Sequence, residues 1–179
     1  MAPVGRWPVP WAAIGRPLRY YHAMSEVRFD DIEALSALVS DRFEACDAVI
    51  EITQEMIDQF AELTEDRQWI HVDVQRCAEQ SPLGTPIAHG FLVLSLITAL
   101  TEGTAARITG FGQVINYGAD KLRFQRPVPA GSKVHARQRV AHVRKKGIGG
   151  SQLTFETEVL VVGEDQPALT YRSIVVFLP

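Results

Sequence analysis

The sequence predicts an α+β fold in which an antiparallel sheet curls around one apolar helix. Three observations predict it. The helical segments come first and the strands follow in sequence. Residues 112–117, 119–125, 133–145, 152–162 and 168–178 are rich in Val, Ile, Phe, Tyr and Thr, and several alternate in polarity, as in Leu153-Thr-Phe-Glu-Thr-Glu-Val-Leu. Between the two halves, His89-Gly-Phe-Leu-Val-Leu-Ser-Leu-Ile-Thr-Ala-Leu is apolar on nearly every side. A helix of that kind must be enclosed by protein.

Each element has a local signal. Ile32, Leu35, Leu38 and Val39 recur at helical spacing within 30–40, with Asp30 as the expected N-cap. Residues 48–52 read as a short strand. Thr53 caps the next helix, which is expected to bury Met56, Ile57, Phe60 and Leu63 and to end near Thr64. A loop over 65–72 carries Asp66 and His71, and 73–79 reads as a short polar helix. Ser81-Pro-Leu-Gly-Thr-Pro, Pro127-Val-Pro-Ala-Gly, Gly147-Ile-Gly-Gly and Gly163-Glu-Asp-Gln-Pro mark turns.

Composition bounds the function. Apolar residues make up 46% and charged residues 22%, ordinary values for one globular domain of 179 residues. A net charge of −3 argues against nucleic acid as a partner. No apolar run reaches the 18 or so residues of a membrane span. Cys46 and Cys77 stand far apart without metal-ligand spacing, which fits two reduced thiols in the cytoplasm. Residues 1–23 differ from the rest: they hold Arg6, Arg16 and Arg19, no acid, and four prolines. They are expected to be a disordered extension, or to reflect a start codon placed too early. The domain is then 24–179, where 15 basic face 21 acidic residues, a net charge of −6.

The chemistry is expected in two pieces. Asp66 and His71 stand five residues apart just after a helix, and Pro86-Ile-Ala-His89-Gly90 opens the apolar helix. Read singly, Asp66 could end a helix and His71 could sit satisfied in the core. Together they offer a carboxylate able to take and return a proton and an imidazole able to orient a water. A helix start offers unpaired N–H groups, and Gly90 has no side chain to keep a substrate carbonyl away from its own. Ser95 lacks the GxSxG surroundings of a nucleophile and is expected to bond a helix carbonyl.

These pieces resemble the MaoC-like (R)-specific enoyl-CoA hydratases and dehydratases of the hotdog superfamily. Their signature is an Asp, any residue, Asn, Pro, any residue and His, with His-Gly about twenty residues later. Here it stands as Asp66-Arg67-Gln68-Trp69-Ile70-His71 with His89-Gly90. Gln68-Trp69 replaces Asn-Pro, and Glu65 replaces the usual Gly. The variant, with Asn116-Tyr117-Gly118 and Lys121-Leu-Arg-Phe ahead of Pro127-Val-Pro-Ala-Gly131, looks like the nodulation-protein-N-like branch. The resemblance covers about residues 45–179.

It implies a single hotdog domain and a homodimer with its pocket near the interface. It also implies hydration of a trans-2-enoyl thioester to the (3R)-hydroxyacyl thioester, or the reverse. Asp66 would be base and acid, His71 would orient the water, and the Gly90 N–H would be the oxyanion donor. Gln68, Trp69, His89, Thr98, Lys121 and Arg123 are the substrate-binding candidates. His89 would also brace the loop below Gly90, and Thr98, eight residues into the helix near the face of Gly90, would support the pair. Arg126 joins Lys121 and Arg123, and Arg144, Lys145 and Lys146 form a second group, as cations for the phosphates of coenzyme A or for an acidic acyl-carrier protein. No metal or cofactor motif is present. Two rivals stay open: a thioesterase on the same fold, and a non-catalytic acyl-binding protein. Thioesterases of this fold keep a carboxylate on or beside the central helix, whereas 90–101 holds no acid and Glu102 stands only at its far end.

Overall fold

A computed structural model describes residues 25–101 and 106–179. The expected extension over 1–23 and Glu102 lie outside the described residues.

Five strands form an antiparallel sheet in the order β2-β5-β6-β7-β4. They are β2 (Glu44–Glu51), β4 (Gln113–Phe124), β5 (Lys133–Lys145), β6 (Ser151–Val161) and β7 (Leu169–Leu178). Strands β5 to β7 follow one another as hairpins, and β2 and β4 are added at the two edges. The two strands expected at 112–117 and 119–125 are one strand, β4. Register shifts at Asn116/Gly118 and Ala119/Lys121 let the pairing with β7 continue past Gly118. A parallel pair, β1 (Ser25–Arg28) with β3 (Ala106–Thr109), was not legible in the sequence.

The helices pack on one face of the sheet. Ile52, Ile57, Leu92, Val93, Leu100, Val134, Val159 and Leu169 belong to one buried cluster that joins helix to strand. Alpha helix α1 (Ile32–Ser36) is shorter than expected. Its N-cap is Asp31, which accepts from the Ala34 N–H at 3.0 Å, whereas Asp30 turns back to pair with Arg28. Helix α2 (Gln54–Thr64) starts at Thr53, whose hydroxyl accepts from the Met56 N–H at 3.2 Å. It buries Ile57 and Ala61, but Leu63 is exposed, on the face turned from the sheet. Two short helices follow, α3 (Trp69–Val72) and α4 (Val74–Gln80), the second capped by Asp73. Cys46 and Cys77 are buried free thiols, and burial with nearby carboxylates pushes the Cys46 thiol up to about 11.

The apolar helix departs from expectation. It is two pieces, α5 (Gly90–Ser95) and α6 (Ile97–Leu100), joined at Leu96. It is not enclosed all round. Leu92, Val93 and Leu100 are buried, while Phe91, Ser95, Thr98 and Ala99 form an exposed face of the single chain. The Ser95 hydroxyl donates to the Phe91 carbonyl at 2.7 Å, as anticipated.

Candidate active site

The chain between α2 and α5 brings the sequence candidates together. Glu65 ends α2 in the left-handed region, at φ 61°. That conformation favours glycine, the residue that the resemblance implies at this position. The turn swings Asp66 back over the helix end. Arg67 anchors it by pairing with Glu62 at 2.8 Å.

His71 is not in a loop. It sits on the single turn of α3, is buried, and is held from three sides. Gln54 donates to its main-chain carbonyl at 2.8 Å, and the Ile87 N–H donates to the Ile70 carbonyl at 3.0 Å. Its Nδ1 donates to the Ile87 carbonyl at 2.7 Å. A carbonyl only accepts, so the proton is on Nδ1 and the lone pair on Nε2. Burial, with a smaller contribution from His89, holds the His71 imidazole below its ordinary value, so the ring is neutral near pH 7.

His89 ties the parts to one another. It precedes Gly90, is only 3% exposed, and stacks on the His71 ring at 3.8 Å between centroids. Its Nε2 donates to the Asp66 carbonyl at 2.9 Å. The segment ahead of it is pinned through Ala88, whose N–H donates to Val128 at 2.8 Å. Ring nitrogens of His71 and His89 and a carboxylate oxygen of Asp66 lie within 4.8 Å of one another. A zinc-like ion needs ligand lone pairs that converge at about 2 Å. The His89 Nε2 already donates its N–H to the Asp66 carbonyl, so that nitrogen has no lone pair to offer an ion.

A cavity of about 290 Å³ opens beside this cluster. His71 and Gly90 are on its wall, Val93, Val128 and Leu169 make it apolar, and Arg126 contributes a cation. The Gly90 N–H opens α5 and has no intrahelical acceptor. Asp66, half-exposed, stands next to this cavity through His71 and is not on its wall.

The remaining candidates lie elsewhere. Gln68 is exposed, and Trp69 is half-buried beneath the Arg76 guanidinium at 4.3 Å. Thr98 is on the exposed face of α6. Lys121 and Arg123 do not line the cavity; among the three cations of that group, Arg126 does. Arg144 donates to Gln152, and Lys146 covers the Tyr117 ring at 4.6 Å. Sequence reasoning missed Phe124, whose ring lies on Gly90. The signal was present in Lys121-Leu-Arg-Phe124, but spacing along the chain does not reveal contact with a residue 34 positions earlier.

Residues 44–163 match the family described as MaoC like domain. The chain belongs to that family. Among MaoC-like proteins it is 43% identical over 122 residues to 3-hydroxyacyl-thioester dehydratase Z of Mycobacterium tuberculosis, covering 68% of this chain and 80% of that protein. It is 40% identical over 123 residues to nodulation protein N of Rhizobium leguminosarum bv. viciae, covering 69% and 76%. Its fold is similar to the (R)-hydratase from A. caviae involved in PHA biosynthesis, with a TM-score of 0.59 and 26% identity over 78% of this chain and all of that one. The α+β reading, with its antiparallel sheet packed on a central helix, is therefore the MaoC-like hotdog architecture. Among the described residues no helix is long and apolar enough to cross a membrane.

Proposed function

We propose that this MaoC-like protein is a 3-hydroxyacyl-thioester dehydratase that interconverts a trans-2-enoyl thioester and the (3R)-3-hydroxyacyl thioester. One observation carries the reading: a carboxylate oxygen of Asp66 lies within 4.8 Å of a ring nitrogen of His71, and His71 shares a cavity wall with Gly90. Two hydrogen bonds to one water span about 4.5 Å between acceptors, so a water fits between the acid and the imidazole. Both groups accept, which turns an oxygen lone pair toward the alkene.

In the hydration direction the water oxygen bonds to C3 and its proton passes to Asp66. The alkene electrons move onto the thioester oxygen, where the Gly90 N–H receives the charge. Asp66 then gives the proton to C2, which restores the thioester and regenerates the carboxylate. Arg126 faces the cavity with a half-exposed guanidinium and is suited to a phosphate of the acyl carrier, whether coenzyme A or acyl-carrier protein.

An absorbance assay with crotonyl-CoA and longer trans-2-enoyl-CoAs tests the reading. Loss of the enone band with the thioester intact is expected. Release of free thiol would make the protein a thioesterase, and no change would make it a binding protein.

The same reading takes the protein as a homodimer. Among the described residues, strand β4 has β7 on one side only, and Val114, Ile115 and Tyr117 are exposed along it. An open apolar edge of this kind is a template for another strand. Light scattering should give twice the chain mass, and a stable monomer at micromolar concentration would remove this part of the proposal.

A further inference from the structure

Phe124 ends β4, and its ring is laid against the first residue of α5. A methyl group on the Gly90 Cα would stand 2.7 Å, 2.8 Å and 3.0 Å from its Cδ1, Cε1 and Cγ. The ring therefore fills the space that a side chain at position 90 would take. The backbone beneath it is fixed. Phe124 pairs with Leu169, and the N–H groups of Gln125 and Arg126 both donate to the Ala168 carbonyl, at 2.8 and 3.2 Å. Phe91 meets the ring edge-on at 5.4 Å and 62°. Phe124 lines the same cavity as His71 and Gly90.

We propose that Phe124 is a specificity-determining residue of this site, and that its ring selects enoyl thioesters with no branch at C2. The proposal rests on the reading of Gly90 as oxyanion donor. An oxygen that accepts from the Gly90 N–H sits about 2.9 Å from it. The carbonyl carbon and C2 follow within one and two bonds, so C2 passes close to the ring that lies on Gly90. A hydrogen at C2 fits there. A methyl group at C2 meets the ring carbons much as a Cβ on Gly90 would.

The test compares kcat/KM for crotonyl-CoA and 2-methylcrotonyl-CoA in the wild type, Phe124→Leu and Phe124→Ala. The ratio of the two substrates is read in each protein, so the lower intrinsic reactivity of the branched alkene cancels. The ratio is expected to fall by about tenfold or more on truncation of the ring, the scale of one misplaced methyl group. An unchanged ratio in active variants would overturn the proposal. Thermal melting supplies a second readout. Gly90→Ala should lose stability, and its loss together with Phe124→Ala should be smaller than the sum of the two single losses; a strictly additive double variant would show that the contact is not there. If the wild type hydrates neither substrate, the functional reading itself falls and takes this one with it, while the melting experiment still reports on the contact alone.

Discussion

Asp66→Asn should lower hydratase turnover by at least about 10²-fold, the scale of a lost general base. The substitution is nearly isosteric, and the amide cannot carry the proton from water to C2. The fold should survive, because the Asp66 side chain is half-exposed and its one close contact is weak. Its Oδ1 accepts from the Gln68 N–H at 3.4 Å, a bond that the asparagine oxygen can also make. The bond from His89 goes to the main-chain carbonyl of Asp66 and is indifferent to the side chain. Steady-state kinetics with crotonyl-CoA, read beside the melting temperature, check this. Near-wild-type turnover in a folded variant would remove Asp66 from the mechanism.

His71→Gln should act on a similar scale, about 10²-fold in kcat, because the water then loses its second acceptor. This variant also has a signature in pH. The folded ring binds its proton less readily than the ordinary 6.5, chiefly because it is buried. Below 6.5 the unfolded chain holds a proton at this position that the folded chain lacks, so stability falls as pH falls through that window. Above 6.5 both states are neutral and the effect vanishes. Melting temperatures across this range should fall more steeply with acid in the wild type than in His71→Gln. Hydratase activity that depends on the neutral ring should persist below pH 6.5 before it drops. Equal acid sensitivity in both proteins would mean that His71 does not titrate as its burial requires.

The layout was largely legible because it depends on periodicity. The alternation in 152–162 reports one buried face, the apolar run after His89 reports a core helix, and both elements are where they were expected. What stayed hidden depends on contacts across the chain. The parallel pairing of β1 with β3 joins segments about eighty residues apart, and no local pattern encodes it. The open side of α5 and α6 holds Phe91 and Ala99 beside Ser95 and Thr98, and the apolar run around the two hydroxyls makes the sequence read the helix as enclosed. Its exposure is visible only once the sheet is seen to cover one side. Within the site, the spacing of Asp66 and His71 and the His89-Gly90 pair identified the residues that meet. It did not reveal that His89 stacks on His71, a contact between residues eighteen positions apart, nor that the apolar run divides at Leu96, where no proline or glycine announces a break.

The partner of His71 Nδ1 is a peptide carbonyl, that of Ile87, and not an acidic side chain. Where a carboxylate holds the same nitrogen, an imidazole gains basicity and becomes a proton carrier; an uncharged amide gives it direction with little added proton affinity. Evolution at position 87 can therefore change the residue without touching the tautomer, since every amino acid supplies that oxygen. On the proposed mechanism, the main chain then sets a division of labour, with proton traffic left to the carboxylate and alignment to the ring.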